Sequence, residues 1–520
     1  MSKPGRNVLF ISTDQQHWSA MGYLNPEVKT PNLDRLVARG TTFHRAYTVN
    51  PTCTPARASW LTGLYPSQHG AYALGTKLME DVPTVGDVFQ QHDYRTALIG
   101  KAHFQPTRST AEYPSLESFP MLHDLDFWRK FNGPFYGFEH VELTRNHTDE
   151  WVVGQHYALW MEEKGCKDWR QYFLPTPAEF MQEEIEGFPR SNRQPLAPDQ
   201  GVWDIPEDLH YNTWIAERTN AMMEAFDRNG DNFFLWASFF DPHPRYMVPE
   251  PYASMYDPAE VTVPEHREGE FDDKPPYFKR SQEPNPDFSD FEEPDGNVVH
   301  GSLSHLRSRE VKAKAIATMY GMVTMLDTYI GKILDKLEEL GMAEETLVCF
   351  TTDHGDFWGQ HGLISKAIHH YEDVLRVPLV VSMPGTIPEG VVSDSLQSTV
   401  DLPQTFLSIA GIPVPRTMAG VDQKDVWTGE TDTIRNHVIV ENQHQPTTMN
   451  MRTYINQRYK MTVHYNREYG EIYDLEKDPG EYENLWDNPQ HQDLKRDLLL
   501  KFLHGEMAKA PLPMPRISPA

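Results

Sequence analysis

The sequence predicts an α/β fold: a large, mostly parallel sheet sandwiched by helices, followed by a smaller C-terminal α+β subdomain. Short β-rich apolar runs alternate with stretches of helical periodicity, the pattern of a sheet covered on both faces. Two of these runs end in polar loops, at Asp14-Gln-Gln-His17 and at Asp353-His354, and ligands of open α/β sheets sit beyond that end of the strands. After about Trp427 the spacing changes to short alternating segments, which divides the chain into residues 1–426 and 427–520. A chain of 520 residues is too long for one compact core, so such a division is expected.

Residues 8–13, Val-Leu-Phe-Ile-Ser-Thr, read as a buried parallel strand because they are apolar without alternation and rich in β-formers. Thr30 then caps a helix with Pro31 at its first position, stopped by Gly40. Further strands are expected at 96–100, 233–240, 346–352 and 377–383, and a long helix over 312–340, where apolar residues recur at helical spacing. Two long segments break the rhythm. Residues 104–206 are aromatic and polar with many turn formers, and 264–308 are rich in Pro, Asp, Glu and Ser. Both read as insertions near the mouth of a site or at subunit contacts. In the C-terminal part, 438–441, 451–455, 459–464 and 471–475 read as strands and 494–507 as a closing helix. Prolines keep 510–520 out of any helix, leaving that tail disordered or laid against a neighbour.

Hydrophobic residues make up 39% of the chain, with 12 Trp, 23 Tyr and 25 Phe, enough apolar material to offset chain entropy. The formal charge of −28, from 47 basic against 75 acidic residues, argues against nucleic acid and anionic membrane as partners. An anionic substrate would need a focused positive pocket to approach such a chain; simple solubility is the plainer reading of the same charge. The three cysteines, Cys53, Cys166 and Cys349, are too few and odd in number for a disulfide framework. With no secretory pattern in the first residues and no apolar run of about 18, the expectation is a cytoplasmic protein.

Two motifs carry chemistry. In Asn50-Pro-Thr-Cys53-Thr-Pro-Ala-Arg57, a helix starting near Pro55 sets Cys53 at its N-terminal end, where orphan amides and the positive dipole favour an oxyanion. Taken alone, the same residues also describe a semi-buried free thiol before an ordinary helix. The second motif is Thr352-Asp-His-Gly-Asp-Phe-Trp-Gly-Gln-His-Gly362, directly after a strand, so Asp353 and His354 project from the same sheet end as Asp14. Carboxylates from distant segments, with an amide and an imidazole, suit a cation of the calcium or manganese kind rather than structural zinc. The blander alternative is a turn capped by Asp353 and Asp356.

Cys53-x-Pro55-x-Arg57 resembles the signature of the type I formylglycine-dependent sulfatases of the alkaline phosphatase superfamily, close to the branch of arylsulfatases, choline sulfatases and phosphonate monoester hydrolases. The likeness runs over nearly the whole chain, through Asp14, Lys29-Thr-Pro-Asn-Leu-Asp-Arg-Leu36, Ile99-Gly-Lys-Ala-His103, Asp241-Pro-His243, the Asp353 block, Arg376-Val-Pro-Leu379 and Tyr473-Asp-Leu-Glu-Lys-Asp-Pro-Gly-Glu-Tyr482. It implies that a formylglycine-generating enzyme oxidises Cys53. It also implies one divalent cation, Ca2+ or Mn2+, held by Asp14, Gln15, residue 53, Asp353 and His354. Gln15 stands where many relatives have a second aspartate and His354 where asparagine is commoner, which leaves one carboxylate fewer around the metal, weakens the case for calcium and strengthens that for manganese.

The same resemblance implies a positive pocket of Arg57, Lys101, His103, His243 and Lys366 around a sulfuryl group. Singly, each lysine reads as solvated and each histidine as a satisfied loop residue. In the implied mechanism a hydroxyl of the hydrated aldehyde attacks sulfur, and His243 or Lys366 protonates the leaving alcohol. His103 then takes the second hydroxyl's proton as the sulfated hemiacetal collapses. The expected activity is hydrolysis of an aryl, choline or sugar sulfate, with a phosphonate monoester or phosphodiester as the alternative substrate. Lys101 and His103 favour sulfate, because relatives acting on phosphonates tend to carry uncharged hydroxyl residues there. A degenerate binding scaffold is disfavoured by the full set of site residues. Tyr113, Trp128, Phe131, Phe135, Tyr136 and Trp151 line a substrate pocket or pack in the core. A homo-oligomer, dimer or tetramer, is expected.

Overall fold

The computed structural model describes residues 6–145, 147–175, 200–284, 286–293, 306–366 and 368–518. Strand β1 (Asn7–Thr13) is buried along its whole length. Its alternate side chains enter two different cores, Leu9 and Ile11 one, Val8 and Phe10 the other. A strand apolar on both faces must lie inside a covered sheet. The sheet adds β2 (Thr41–Phe43), β3 (Arg95–Gly100), β4 (His140–Leu143), β5 (Phe233–Ser238), β6 (Thr346–Thr352), β7 (Leu379–Ser382) and β8 (Val391–Ser393).

Across the sheet the order is β8-β2-β7-β6-β1-β5-β3-β4. The run β6-β1-β5-β3-β4 is parallel throughout, whereas β7 runs against both its neighbours. The strand expected over 377–383 is therefore antiparallel, and it is interrupted at Pro378, which has no N–H to donate.

Helices α1 (Pro31–Ala38), α2 (Cys53–Thr62), α3 (Tyr211–Asn229), α4 (Arg309–Glu339) and α5 (Leu402–Ile409) cover the two faces. Leu33 and Leu36 of α1, Trp214 of α3 and Met322 of α4 share the core of Leu9, while Trp60 and Leu61 of α2 and Phe406 of α5 share that of Phe10. Thr30 occupies the N-cap of α1 without capping it: its hydroxyl accepts from Gly22 N–H and donates to Asp34. Asp327 of α4 supplies the cap instead, accepting from the backbone N–H groups of Asn32 and Leu33 at 3.1 and 2.7 Å.

The segment 104–206, expected as an insertion, delivers β4 to the main sheet. Its Trp128, Phe135 and Tyr136 are buried in the core of Phe10, with Phe131 packed against it, so these four belong to packing. Tyr113 is exposed. Residues 176–199 of this segment and 294–305 of the second lie outside the described residues.

The C-terminal part is an antiparallel sheet of β9 (Val438–Gln445), β10 (Met449–Ile455), β11 (Tyr459–His464) and β12 (Gly470–Asp474), paired in chain order, with helix α6 (Gln492–Ala508). Tyr47, Val49 and Tyr65 enter its cores, so it packs directly on the chain around Cys53. Residues 510–518 are non-helical and exposed or half-buried.

Candidate active site

Register brings the first two acids together. Thr13 pairs with Thr352, so Asp14 and Asp353, each the next residue, leave neighbouring strands side by side. The N-terminus of α2 adds Cys53, and all three are buried. Cys53 Sγ lies 3.6 Å from Asp14 Oδ1 and 3.3 Å from His354 Nε2. His354 Nε2 is 3.7 Å from Asp14 Oδ1 and 3.6 Å from Asp353 Oδ1. The Nδ1 of His354 donates to the Gly355 carbonyl at 2.9 Å, which turns the Nε2 lone pair toward the carboxylates. Burial, helped by the charge of Lys366, lowers its pKa to about 3, so the imidazole is neutral.

Gln15 has φ 58°, a left-handed conformation costly outside glycine, and such strain gathers at functional sites. Its backbone N–H donates to Asp353 Oδ1 at 3.1 Å. Its side-chain Nε2 donates to Asp356 Oδ1 at 2.8 Å and to Ser365 Oγ at 3.1 Å, which uses both amide hydrogens. The carbonyl Oε1 is left buried with no partner. An unpaired acceptor, two carboxylates and an imidazole lone pair form a donor set that a divalent cation satisfies. Asp14, Cys53, Asp353 and His354 offer ligand atoms all within 4.8 Å of one another, as donors to one ion must be.

Arg57, inside α2, is fully buried. Its Nε donates to Asp353 Oδ2 at 2.8 Å, and its other nitrogens reach Ser238 Oγ at 2.8 Å, the Lys101 carbonyl at 3.1 Å and the Thr13 carbonyl at 3.4 Å. One guanidinium thus ties the ends of β1, β3, β5 and β6. Gly100, at φ 110°, lies so close to β5 that a Cβ would overlap the Ser238 carbonyl, and only glycine allows the turn into Lys101. The Lys101 ammonium hydrogen-bonds to Asp14 Oδ2 and sits 2.6 Å from His147 Nε2.

Lys366 Nζ donates to Cys53 Sγ at 2.9 Å and lies 3.2 Å from Nε2 of both His354 and His243. Burial pushes the Cys53 thiol up, with Lys366 opposing. His243 Nδ1 hydrogen-bonds to the Pro244 carbonyl, and its ring stacks on His147 with centroids 3.6 Å apart. His103, at φ 62°, is buried with Nδ1 unpartnered. Burial first, then the charges of Arg145 and Lys101, hold its pKa well below the usual imidazole range.

The structure therefore gathers Asp14, Cys53, Arg57, Lys101, His243, Asp353, His354 and Lys366 through direct contacts, with Gln15 and His103 at their edges. Sequence reasoning missed His147, Glu150, Arg145 and Glu117. Glu117 accepts from the backbone N–H groups of His103, Phe104 and Gln105 at 2.9, 2.9 and 3.1 Å, shaping that loop, and Arg145 lies 3.4 Å from it. All four sit in 104–206, where no periodicity assigns a side chain a direction; the spacing His147-x-x-Glu150 was the one available signal.

Two carboxylates, an imidazole and a thiol that could share one ion thus stand beside the basic side chains of Arg57, Lys101 and Lys366 at the C-terminal ends of parallel strands. The chain belongs to the sulfatase family, whose profile matches residues 6–412. The C-terminal profile of N-sulphoglucosamine sulphohydrolase matches residues 359–507. The chain is 27% identical over 508 residues to an arylsulfatase of Clostridium perfringens, covering 96% of this chain and 94% of that one. It is 26% identical over 502 residues to a choline-sulfatase of Rhizobium meliloti, covering 93% and 83%. The structure of a phosphonate monoester hydrolase from Silicibacter pomeroyi shares the fold, with a TM-score of 0.76 at 23% identity over 98% and 96% of the two chains. The protein is thus an arylsulfatase-like hydrolase.

Proposed function

We propose that this protein hydrolyses an aryl, choline or sugar sulfate monoester, using formylglycine made from Cys53 and one divalent cation, Ca2+ or Mn2+. Asp14, Gln15, residue 53, Asp353 and His354 would hold the cation. The observation that carries the reading is local charge. In a chain of net charge −28, three buried basic side chains gather at this site, Arg57 on Asp353, Lys101 on Asp14 and Lys366 with Nζ 2.9 Å from Cys53 Sγ, which stands in for an oxygen of the modified side chain.

Formylglycine with the cation would supply an ionised geminal diol, whose sulfated form can collapse without water attacking sulfur. Arg57 and Lys101 bind the non-bridging sulfuryl oxygens. Lys366, 3.2 Å from His243, shares with it the proton for the departing alcohol. His103, its Nδ1 unpartnered, accepts the proton of the second hydroxyl.

The peptide spanning residue 53 from the native host is expected about 18 mass units lighter than its thiol form, and Cys53→Ala to lose about 10^3-fold or more in kcat/KM. An unmodified thiol in active enzyme, or an Ala variant as fast as its parent, ends the reading. Gln15 and His354 favour a second reading, phosphonate monoester hydrolysis, while Lys101 and His103 favour sulfate. Specificity constants for nitrophenyl sulfate and nitrophenyl phenylphosphonate on one preparation decide between them.

Maturation by a formylglycine-generating enzyme, cytoplasmic residence and homo-oligomerisation complete the proposal. The three free cysteines support the reducing compartment. Exposed Leu499, Leu500, Leu503 and Met507 on α6 support assembly, and a clean 60.0 kDa species in light scattering would count against it.

A further inference from the structure

Among the described residues a second group, Asp14, His147 and His243, brings ligand atoms within 4.8 Å of one another. Lys101 Nζ already occupies this group: it hydrogen-bonds to Asp14 Oδ2 and lies 2.6 Å from His147 Nε2. The group is the cradle of an ammonium.

His147 is built for that purpose. Its Nδ1 lies 3.0 Å from Glu150 Oε2; a carboxylate only accepts, so Nδ1 carries the hydrogen and Nε2 offers its lone pair to Lys101. The ring plane is held by stacking on His243, centroids 3.6 Å apart at 14°. An ammonium has three N–H donors. Asp14 and His147 take two of them, and one remains.

We infer that His147, oriented by Glu150, is a positioning residue that aims the free N–H of Lys101 at an anionic oxygen of the substrate. The inference rests on the ester-hydrolase reading above. His147 acts through Lys101, leaving the reacting atoms to other groups. Without it the ammonium is tethered by Asp14 alone and loses its direction.

The test is a double-mutant cycle with His147→Ala, His147→Gln, Lys101→Ala and the Lys101→Ala/His147→Ala pair in fully matured enzyme. H147A is expected to lower kcat/KM about ten- to hundredfold, the worth of one charge-assisted hydrogen bond. H147Q, whose carbonyl still accepts, recovers most of that loss. In the K101A background H147A costs nothing further, because its effect runs through the lysine. Calorimetric binding of inorganic sulfate supplies a readout without turnover: weaker in H147A than in the parent, and equal for K101A and the double variant.

Losses that add across the two sites, H147Q as impaired as H147A, or unchanged sulfate affinity in H147A would each overturn the inference. Should the parent prefer a phosphonate to any sulfate ester, the cycle is run on that phosphonate. The coupling of His147 to Lys101 is then judged separately from substrate identity.

Discussion

Arg57 shows why a buried guanidinium is hard to replace. Its fork serves Asp353, Ser238 and the Lys101 and Thr13 carbonyls at once, and a lysine offers one nitrogen for all of them. Arg57→Ala, which strands the buried Asp353 carboxylate, is expected to cost about 3–5 kcal/mol in denaturant unfolding. Arg57→Lys should cost less stability yet still lose about 10^2-fold in kcat/KM. Asp241 makes a separate prediction about pH. Burial raises its pKa to about 7, even though Tyr211 and Asn212 donate to it. Unfolded aspartate titrates at about 3.9, so its contribution to stability is full below that value and falls as pH rises toward 7. Asp241→Asn removes the titration. The stability difference, parent minus variant, should therefore shrink between about pH 4 and pH 7 in urea titrations and stay flat above.

Among the elements, α1 illustrates a rule obeyed in outline and broken in detail. Thr30 and Pro31 mark the helix start as expected, but the cap comes from Asp327, 297 residues away on α4. Asp327→Ala is expected to cost about 1–2 kcal/mol in unfolding measurements, with α1 losing amide-exchange protection first. β1 and β6 were legible because both of their faces are apolar, and the long α4 because its periodicity repeats over many turns. β4 was not. Its four residues, His140-Val-Glu-Leu143, are too few to establish a period, and among the described residues it lies at the sheet edge with β3 as its one partner.

For the whole molecule, the cation proposed for Asp14, Gln15, Asp353 and His354 would couple folding to metal binding. Dialysis against EDTA is expected to abolish turnover and lower the melting temperature. Ca2+ or Mn2+ should restore both, the stability gain reaching about 2.7 kcal/mol at a hundredfold excess over Kd. No change in melting temperature on chelation would mean that the carboxylates are balanced by Arg57 and Lys101 alone.

Residue types and spacing by themselves established that Asp14 and Asp353-His354 follow buried strands and that Cys53 opens a helix, because strand and helix periodicity act over a few neighbouring residues. From this the meeting of Asp14 with Asp353 could be anticipated. Which side chains complete that meeting, beyond those the family resemblance implied, was decided by tertiary contacts. His147, held by Glu150, reaches Lys101 out of an aperiodic segment, and the unpartnered side-chain oxygen of Gln15 exists because Asp356 and Ser365, more than 300 residues away, take both hydrogens of its amide. Local pattern sets where an element lies; the aim of a side chain in a loop is set by whatever the rest of the fold packs against it.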